Sequence, residues 1–408
     1  SLGNSGALSV NASKTLTAQG QNLSGGGQIW AAQAINLSGS ETSANGDIVV
    51  TAINGDIDHV DGNLQANGSV VLTAGNAIKN DNGVIVGHQL TISGDSLSNQ
   101  GGNIGQSGSD DTRITTAGGI DNSGGVLASN GRNLFLQADF LNNSTGSLTL
   151  SGTGLLTVRS GSLANNGGML AANGGIDIVA ASLDNSDGTI YGTENLTVQS
   201  SGGLSNQRGL IQTDADLNVA AVAALNNVNG RIEANSAVSS VAVSGASIDN
   251  TAGRIVNNGV GTTLVSGASI INNNVANIQG IGVIGGNGEV MIKAENLANT
   301  QGGQVVAGGN LNLDASGSLN NNAGLLFAQA NLSVHQPGVT LSNVDGRIGA
   351  SGDVDLVVAS LDNTKGRIGT LQDSGGDLGI LAIEKVTNTG GEIASGQGRE
   401  LFYRKKGR

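Results

Sequence analysis

The residues able to do acid–base or metal chemistry are few and scattered. Three histidines, His59, His88 and His335, lie in different segments of a 408-residue chain. Cysteine is absent, so thiolate nucleophiles and zinc–thiolate sites are excluded. Serines are abundant and read as turn and surface residues, and no GxSxG, Walker or EF-hand sequence occurs. Gly285-Gly286-Asn287-Gly288-Glu289 is similar to a calcium-binding nonapeptide, but such sites depend on tandem copies and this one is single. The densest acidic group is Asp56-Ile57-Asp58-His59-Val60-Asp61. Alternate carboxylates at 56 and 58 point to one side of a strand, and with Asp61 they suit a calcium ion or an acid/base pair. The same residues also read as a solvated corner, and Asp353 and Asp355 invite both readings again. No catalytic residue, cofactor or metal is expected, and the chain is not expected to be an enzyme.

Two further groups bear on binding. Arg231, Arg254, Arg347 and Arg367 share one register, Gly-Arg-Ile, which predicts an interrupted stripe of exposed strand positions that deters lateral association. Trp30, Tyr191 and Tyr403 are too far apart to share a sugar-binding platform. Phe135, Phe140 and Phe327 are expected to fill wide places in the core.

The elements that would position these residues come from a repeat. Its anchors are Ile78, Leu97, Ile120, Leu141, Leu163, Leu183, Leu204, Leu225, Ile248, Ile270, Leu297, Leu319, Leu341, Leu361 and Val386, with a mean spacing of 22 residues. Two positions after each anchor stands asparagine: Asn80, Asn99, Asn122, Asn143, Asn165, Asn185, Asn206, Asn227, Asn250, Asn272, Asn299, Asn321, Asn343, Asn363 and Asn388. Five positions after it stands glycine in 14 of the 15 units, the exception being Val275. Each unit reads as about three short strands with turns between them. Leu196-Thr197-Val198 and Leu217-Asn218-Val219 alternate with period two, which marks a strand with one buried face. No unit can bury its apolar residues alone, whereas stacked units can. The prediction is an all-β parallel β-helix of about 22 residues per coil and roughly 18 coils. At about 4.8 Å per coil the rod would be about 90 Å long. The glycine suits either a corner of positive φ or one too tight for a Cβ. The asparagines suit either a coil-to-coil amide ladder or simple turn formation.

Regularity divides the chain into irregular coils at 1–56, regular repeats at 57–398 and a basic tail at 399–408. Ile57, Gly62 and Leu64 keep the unit, with His59 in the asparagine position. Extra residues fall at Ser107–Asp111, Gly280–Gly288 and Gln372–Gly376, where corner loops are expected. Leu401 and Phe402 are expected to fold over the final coil as a cap.

Composition agrees with thin repeated coils. Glycine contributes 68 residues and asparagine 48, against one proline and seven aromatics. An ordinary globular core needs far more large side chains. Hydrophobic residues are 38% and charged residues 12%, too apolar for a disordered chain. The net charge is −13, and because the last ten residues carry +4, residues 1–398 carry −17. So acidic a body is a poor ligand for nucleic acid or anionic lipid. No run of 18 apolar residues predicts a transmembrane helix, and no secretory leader is recognisable, so a fragment of a longer chain is expected. A monomer is expected.

The unit, as in Ser182-Leu183-Asp184-Asn185-Ser186-Asp187-Gly188-Thr189-Ile190 and Ser360-Leu361-Asp362-Asn363-Thr364-Lys365-Gly366-Arg367-Ile368, resembles the haemagglutinin repeat of the filamentous haemagglutinin family. The resemblance implies a right-handed parallel β-helix, exported by two-partner secretion through an outer-membrane β-barrel transporter. It implies a secreted or bacterial cell-surface exoprotein, an adhesin or a toxin-bearing stalk of contact-dependent growth inhibition. The implied role is a structural rod that projects a tip toward a target-cell receptor recognised by other regions. The alternatives are a glycan- or cell-binding shaft and, further off, a polysaccharide-acting enzyme.

Overall fold

The computed structural model describes residues 6–274, 280–371, 373 and 375–396, together with the backbone of 400–403. The chain falls into two units, Ser1–Ser201 and Gly202–Arg408. Each is a parallel β-solenoid, and every regular element among the described residues is a strand. Counted by one strand per coil, each unit holds nine coils: nine strands from Gln21–Ser24 to Thr189–Gly192, and nine from Leu210–Thr213 to Glu392–Ala394.

A coil runs anchor strand, asparagine turn, second strand, corner, third strand. In the coil that begins at Leu163, these are the end of Leu155–Ala164, the turn at Asn165, Met169–Ala172, and the start of Gly175–Asp184. Strands pair in parallel with their equivalents one coil away, as in Leu170↔Ile190 and Ile178↔Val198. This local pairing is why a short repeat suffices: each coil's inward residues meet only the next coil's copies of themselves. Leu156, Ile176 and Leu196 stack in one inner column and Val158, Ile178 and Val198 in another, all fully buried. Outward residues alternate with them, as the period of two requires.

The third strand and the following anchor fuse in the later coils of each unit, giving Leu134–Asn142 and Leu155–Ala164 in one and Val290–Ala298 and Leu332–Ser342 in the other. Register shifts then absorb surplus residues at the bend, for example between Gln336 and Thr340. The chain's single proline, Pro337, lies inside that irregularity, where no ladder N–H is required.

Fourteen of the anchors are buried, but Val386 is 45% exposed, because Leu361 stacks on one side of it and no described anchor strand stacks on the other. Among the described residues, strand Glu400–Tyr403 pairs with Leu378–Leu381. The expected cap contacts of Leu401 and Phe402 lie outside the described residues, as do Arg399 and 404–408. The three phenylalanines do not fill the core. Phe135 and Phe327 sit at outward positions between inward Leu134/Leu136 and Leu326/Ala328, and Phe140 is 46% exposed. Strand alternation aims them at solvent. Among the described residues the buried aromatic is Trp30, whose Nε1 donates to Gln28 Oε1 at 3.0 Å.

Candidate functional site

The asparagine turn is built from contacts with the adjacent coil. In the first unit, Nδ2 of Asn80, Asn99, Asn122, Asn143 and Asn165 donates to Oδ1 of the next asparagine at 2.7, 2.6, 2.8, 2.8 and 2.7 Å. In the second unit the same bonds run from Asn206 through Asn227, Asn250, Asn272, Asn299, Asn321, Asn343 and Asn363 to Asn388, at 2.7 to 2.8 Å. All of these asparagines except Asn388 are buried, Asn185 included. Each interior amide also reaches backbone carbonyls, as Asn143 Nδ2 does to Gly146 at 3.3 Å and Met169 at 3.0 Å. A buried amide with its donors and acceptor engaged escapes the cost of an unmet polar group.

Glycine follows for steric reasons. A Cβ on Gly125, Gly146 or Gly168 would lie 2.1 to 2.2 Å from the carbonyl oxygen of the preceding coil's asparagine. Positive φ falls one residue earlier. Gly101, Gly124 and Gly167 supply it in some turns, and Asn82, Thr145, Asp187, Arg208, Ala252 and Lys365 adopt it in others. Of the two roles open to the repeated glycine, close approach is therefore the one observed in these turns; after Leu297, Gly302 itself has φ 90 and Gly303 makes the close approach. Where Val275 breaks the sequence pattern, Gly282 takes the glycine's place, bonded on through Gln304 N to its own carbonyl at 2.8 Å. Asparagine and glycine are thus ten residues apart there instead of three, so the extra residues expected at Gly280–Gly288 lie instead before Gly282, and Val283–Gly286 is a strand paired with Arg254–Asn257; residues 275–279 lie outside the described set. The Gly-x-Ile pattern of Gly282-Val283-Ile284 was the available sequence signal.

His59 takes the asparagine position one coil before Asn80. It is fully buried, and its Nδ1 lies 2.8 Å from Asn80 Oδ1. Because Asn80 Nδ2 is given to Asn99, Nδ1 of His59 must be the donor. Its Nε2 is buried with no partner. Burial pushes the imidazole below its ordinary pKa, against the opposing effect of the Asn80 hydrogen bond. One coil earlier the position holds buried Leu37.

The acidic cluster is closed by a lysine. Lys79 Nζ lies 2.6 Å from Asp56 Oδ2 and 3.1 Å from Asp58 Oδ1. The Lys79 hydrogen bond holds the Asp56 carboxyl below the usual range, against partial burial. Asp61 sits at the positive-φ turn position, away from this pair's role. The structure therefore joins Asp56 and Asp58 through Lys79 and leaves Asp61 in the turn. Asp353 instead accepts the Asp377 N–H at 2.8 Å. The 107–111 insertion is held from inside: buried Gln106 accepts from Leu90 N at 2.9 Å and from Thr112 Oγ1 at 2.5 Å.

The outer face of the second strands differs between the units. In the first, from Asn63–Ala66 to Thr189–Gly192, the outward residues are uncharged. In the second, Arg231 pairs in register with Arg254, and Arg347 with Arg367. Between the first two lies Glu233, an outward residue only 4% exposed. Its Oε2 is 2.5 Å from Arg231 Nη2, and its Oε1 is 3.0 Å from Arg254 Nε. Burial works to raise the Glu233 carboxyl, yet the hydrogen bonds from Arg231 and Arg254 and their charges bring it below the usual range. Nothing in the local sequence distinguishes this glutamate, except its placement two residues after the arginine.

Parallel coils stacked on anchor columns define a β-solenoid of the haemagglutinin-repeat type. The haemagglutinin repeat matches residues 1–39, 41–86, 61–124, 131–208, 193–242, 283–335 and 320–390, and the chain belongs to that family. Toxin CdiA of Yersinia pestis is 37% identical over 147 residues, 36% of this chain and 4% of that protein. The tRNA nuclease CdiA-2 of Burkholderia pseudomallei (strain 1026b) is 42% identical over 198 residues, 47% of this chain and 6% of that protein. The chain thus spans a small fraction of the length of these relatives. No solved structure matches it.

Proposed function

We propose that this chain is a length of structural shaft in a secreted or surface-displayed exoprotein, one that holds an adhesive or toxin-bearing region toward a target cell. The observation that carries the proposal is the inner column. Each coil's amide and anchor are completed by the next coil, so the fold extends by repetition. Similarity to CdiA toxins supports the same reading, as does the family's association with two-partner secretion. Export through an outer-membrane transporter suits such a chain, because coils with local contacts can fold in sequence as they emerge. In this reading the shaft performs no catalysis of its own, and the receptor is met by other regions.

Excising one whole coil tests it. Deleting residues 144–165 removes one repeat and joins Asn143 to Asn166. The exported full-length protein should still reach the cell surface and engage target cells. Deleting half a coil, 144–154, should abolish display. Normal display with loss of target-cell engagement after the whole-coil deletion would place recognition in the shaft and overturn the proposal.

A further inference from the structure

We propose that Arg347 and Arg367 form an open carboxylate clamp that takes an acidic sugar residue, a uronate or sialate, on the outer face of the second unit. The molecule contains its own precedent. Arg231 and Arg254 occupy the same register in adjacent coils, and the group they hold is a carboxylate, that of Glu233. Glu233 stands two residues after Arg231. The residue two after Arg347 is Gly349, and the residue two after Arg367 is Gly369. The internal carboxylate is therefore missing from the second pair.

The vacated space is a cavity of about 210 Å³. Phe327, Leu371, Gly349, Gly369 and both arginines line it, with Gly349 and Gly369 in register two residues after the arginines and the Ala394 carbonyl over Gly369. Phe327 lies close over Gly349, its ring carbons 3.7 and 4.0 Å from where a Cβ would stand. Leu371 is 48% exposed. Arg347 has no ion pair among the described residues. Arg367 meets Glu392 at 3.4 Å, but both side chains are more than half exposed, and such a pair holds little.

This combination selects its occupant. A guanidinium pair presents a planar fork of donors that matches a carboxylate. An aromatic ring beside the backbone of Gly349 offers an apolar surface to the C–H face of a sugar and tolerates its hydroxyls. An acidic monosaccharide unit offers both a carboxylate and such a ring. An acidic peptide side chain satisfies the arginines but leaves Phe327 and Leu371 unused. The chain's net charge of −13 makes general attraction of polyanions weak, so binding has to come from this local fit.

The test uses the full chain and two probes of equal length, an oligosaccharide ending in glucuronate and the same oligosaccharide ending in glucose, titrated calorimetrically at fixed ionic strength. The glucuronate probe should bind saturably, and the glucose probe at least about tenfold more weakly. Arg347→Gln should weaken glucuronate binding by about tenfold, and Gly349→Glu should abolish it by supplying the internal carboxylate that Glu233 supplies to the first pair. Arg231→Gln, outside the clamp, should leave it unchanged, and the urea midpoint of each variant checks folding. Equal binding of the two probes, glucuronate binding indifferent to Arg347→Gln and Gly349→Glu, or preference for a glutamate-rich peptide over the sugar would each overturn the proposal.

Discussion

The turn interiors of the two units are near copies, while the outer faces of their second strands are not. Inside, asparagine meets asparagine at 2.6 to 2.8 Å in both units. Outside, the first unit presents Val84, Val126 and Met169 at positions where the second presents Arg254, Arg347 and Arg367. The inner position is constrained because the next coil completes its hydrogen bonds, so any change is felt by two coils. The outer position faces solvent and is free to vary. Charge placed there is consequently informative about what the surface meets, whereas repetition inside reports only how the coils stack.

The largest effects should come from steric pressure inside. Gly125→Ala sets a Cβ 2.1 Å from Asn99 O and should cost about 3 kcal/mol. Its neighbour Gly124 has φ +61, and a Cβ there would meet only Thr145 Oγ1 at 3.9 Å, so Gly124→Ala should cost about 1 kcal/mol. Urea unfolding measures both, and equal losses would show that conformation rather than close approach selects the repeated glycine.

Asparagine substitutions separate column from surface. Asn143→Ala should cost about 2 kcal/mol, since neighbouring buried amides lose a partner. Exposed Asn173, whose side-chain amide donates to Ser151 O, should cost under about 0.5 kcal/mol on the same change. Similar midpoints for the two variants would remove the column's special standing and leave turn propensity.

On the outer face, Glu233→Gln should cost about 1–2 kcal/mol at neutral pH. Its folded pKa is lowered, so its contribution is fully present above the unfolded carboxylate range. It should be lost as pH falls through the lowered folded value. A variant whose stability fell with the same acid slope as the parent would show that the arginine pair does not select a carboxylate.

His59 tests the column's first polar member. The folded ring stays neutral while the unfolded ring protonates below its ordinary pKa of about 6.5, so stability should fall as pH drops below that value. His59→Asn should flatten this part of the pH profile while keeping the bond to Asn80. An unchanged profile between pH 7 and 5 would place the titration elsewhere. The smallest effect is a gain. Thr145 is β-branched at φ 54, and Thr145→Gly should stabilise by about 0.5 kcal/mol after the entropic cost of glycine is subtracted. A loss of stability would mean that the Thr145 hydroxyl bond to Ser144 O outweighs the strain.

The anchors, the asparagine positions and the parallel coil were legible in the residues because one local environment recurs in every coil, and a recurring environment leaves a period in the sequence. The outward setting of Phe327 was misread as core filling, because the size of the side chain was weighed above the alternation that gives Leu326 and Ala328 the inward positions on either side. What only the tertiary structure decided depends on residues about twenty apart meeting across coils. That glycine answers a neighbouring carbonyl, while positive φ sits one residue earlier, is visible only once the coils are stacked. So is the capture of Asp56 and Asp58 by Lys79. The contrast between a filled arginine pair at Glu233 and an open one at Gly349 is of the same kind. A period records what every coil shares, whereas a site arises where one coil departs from its neighbours, and the consequence of that departure is set by the side chains stacked above and below it.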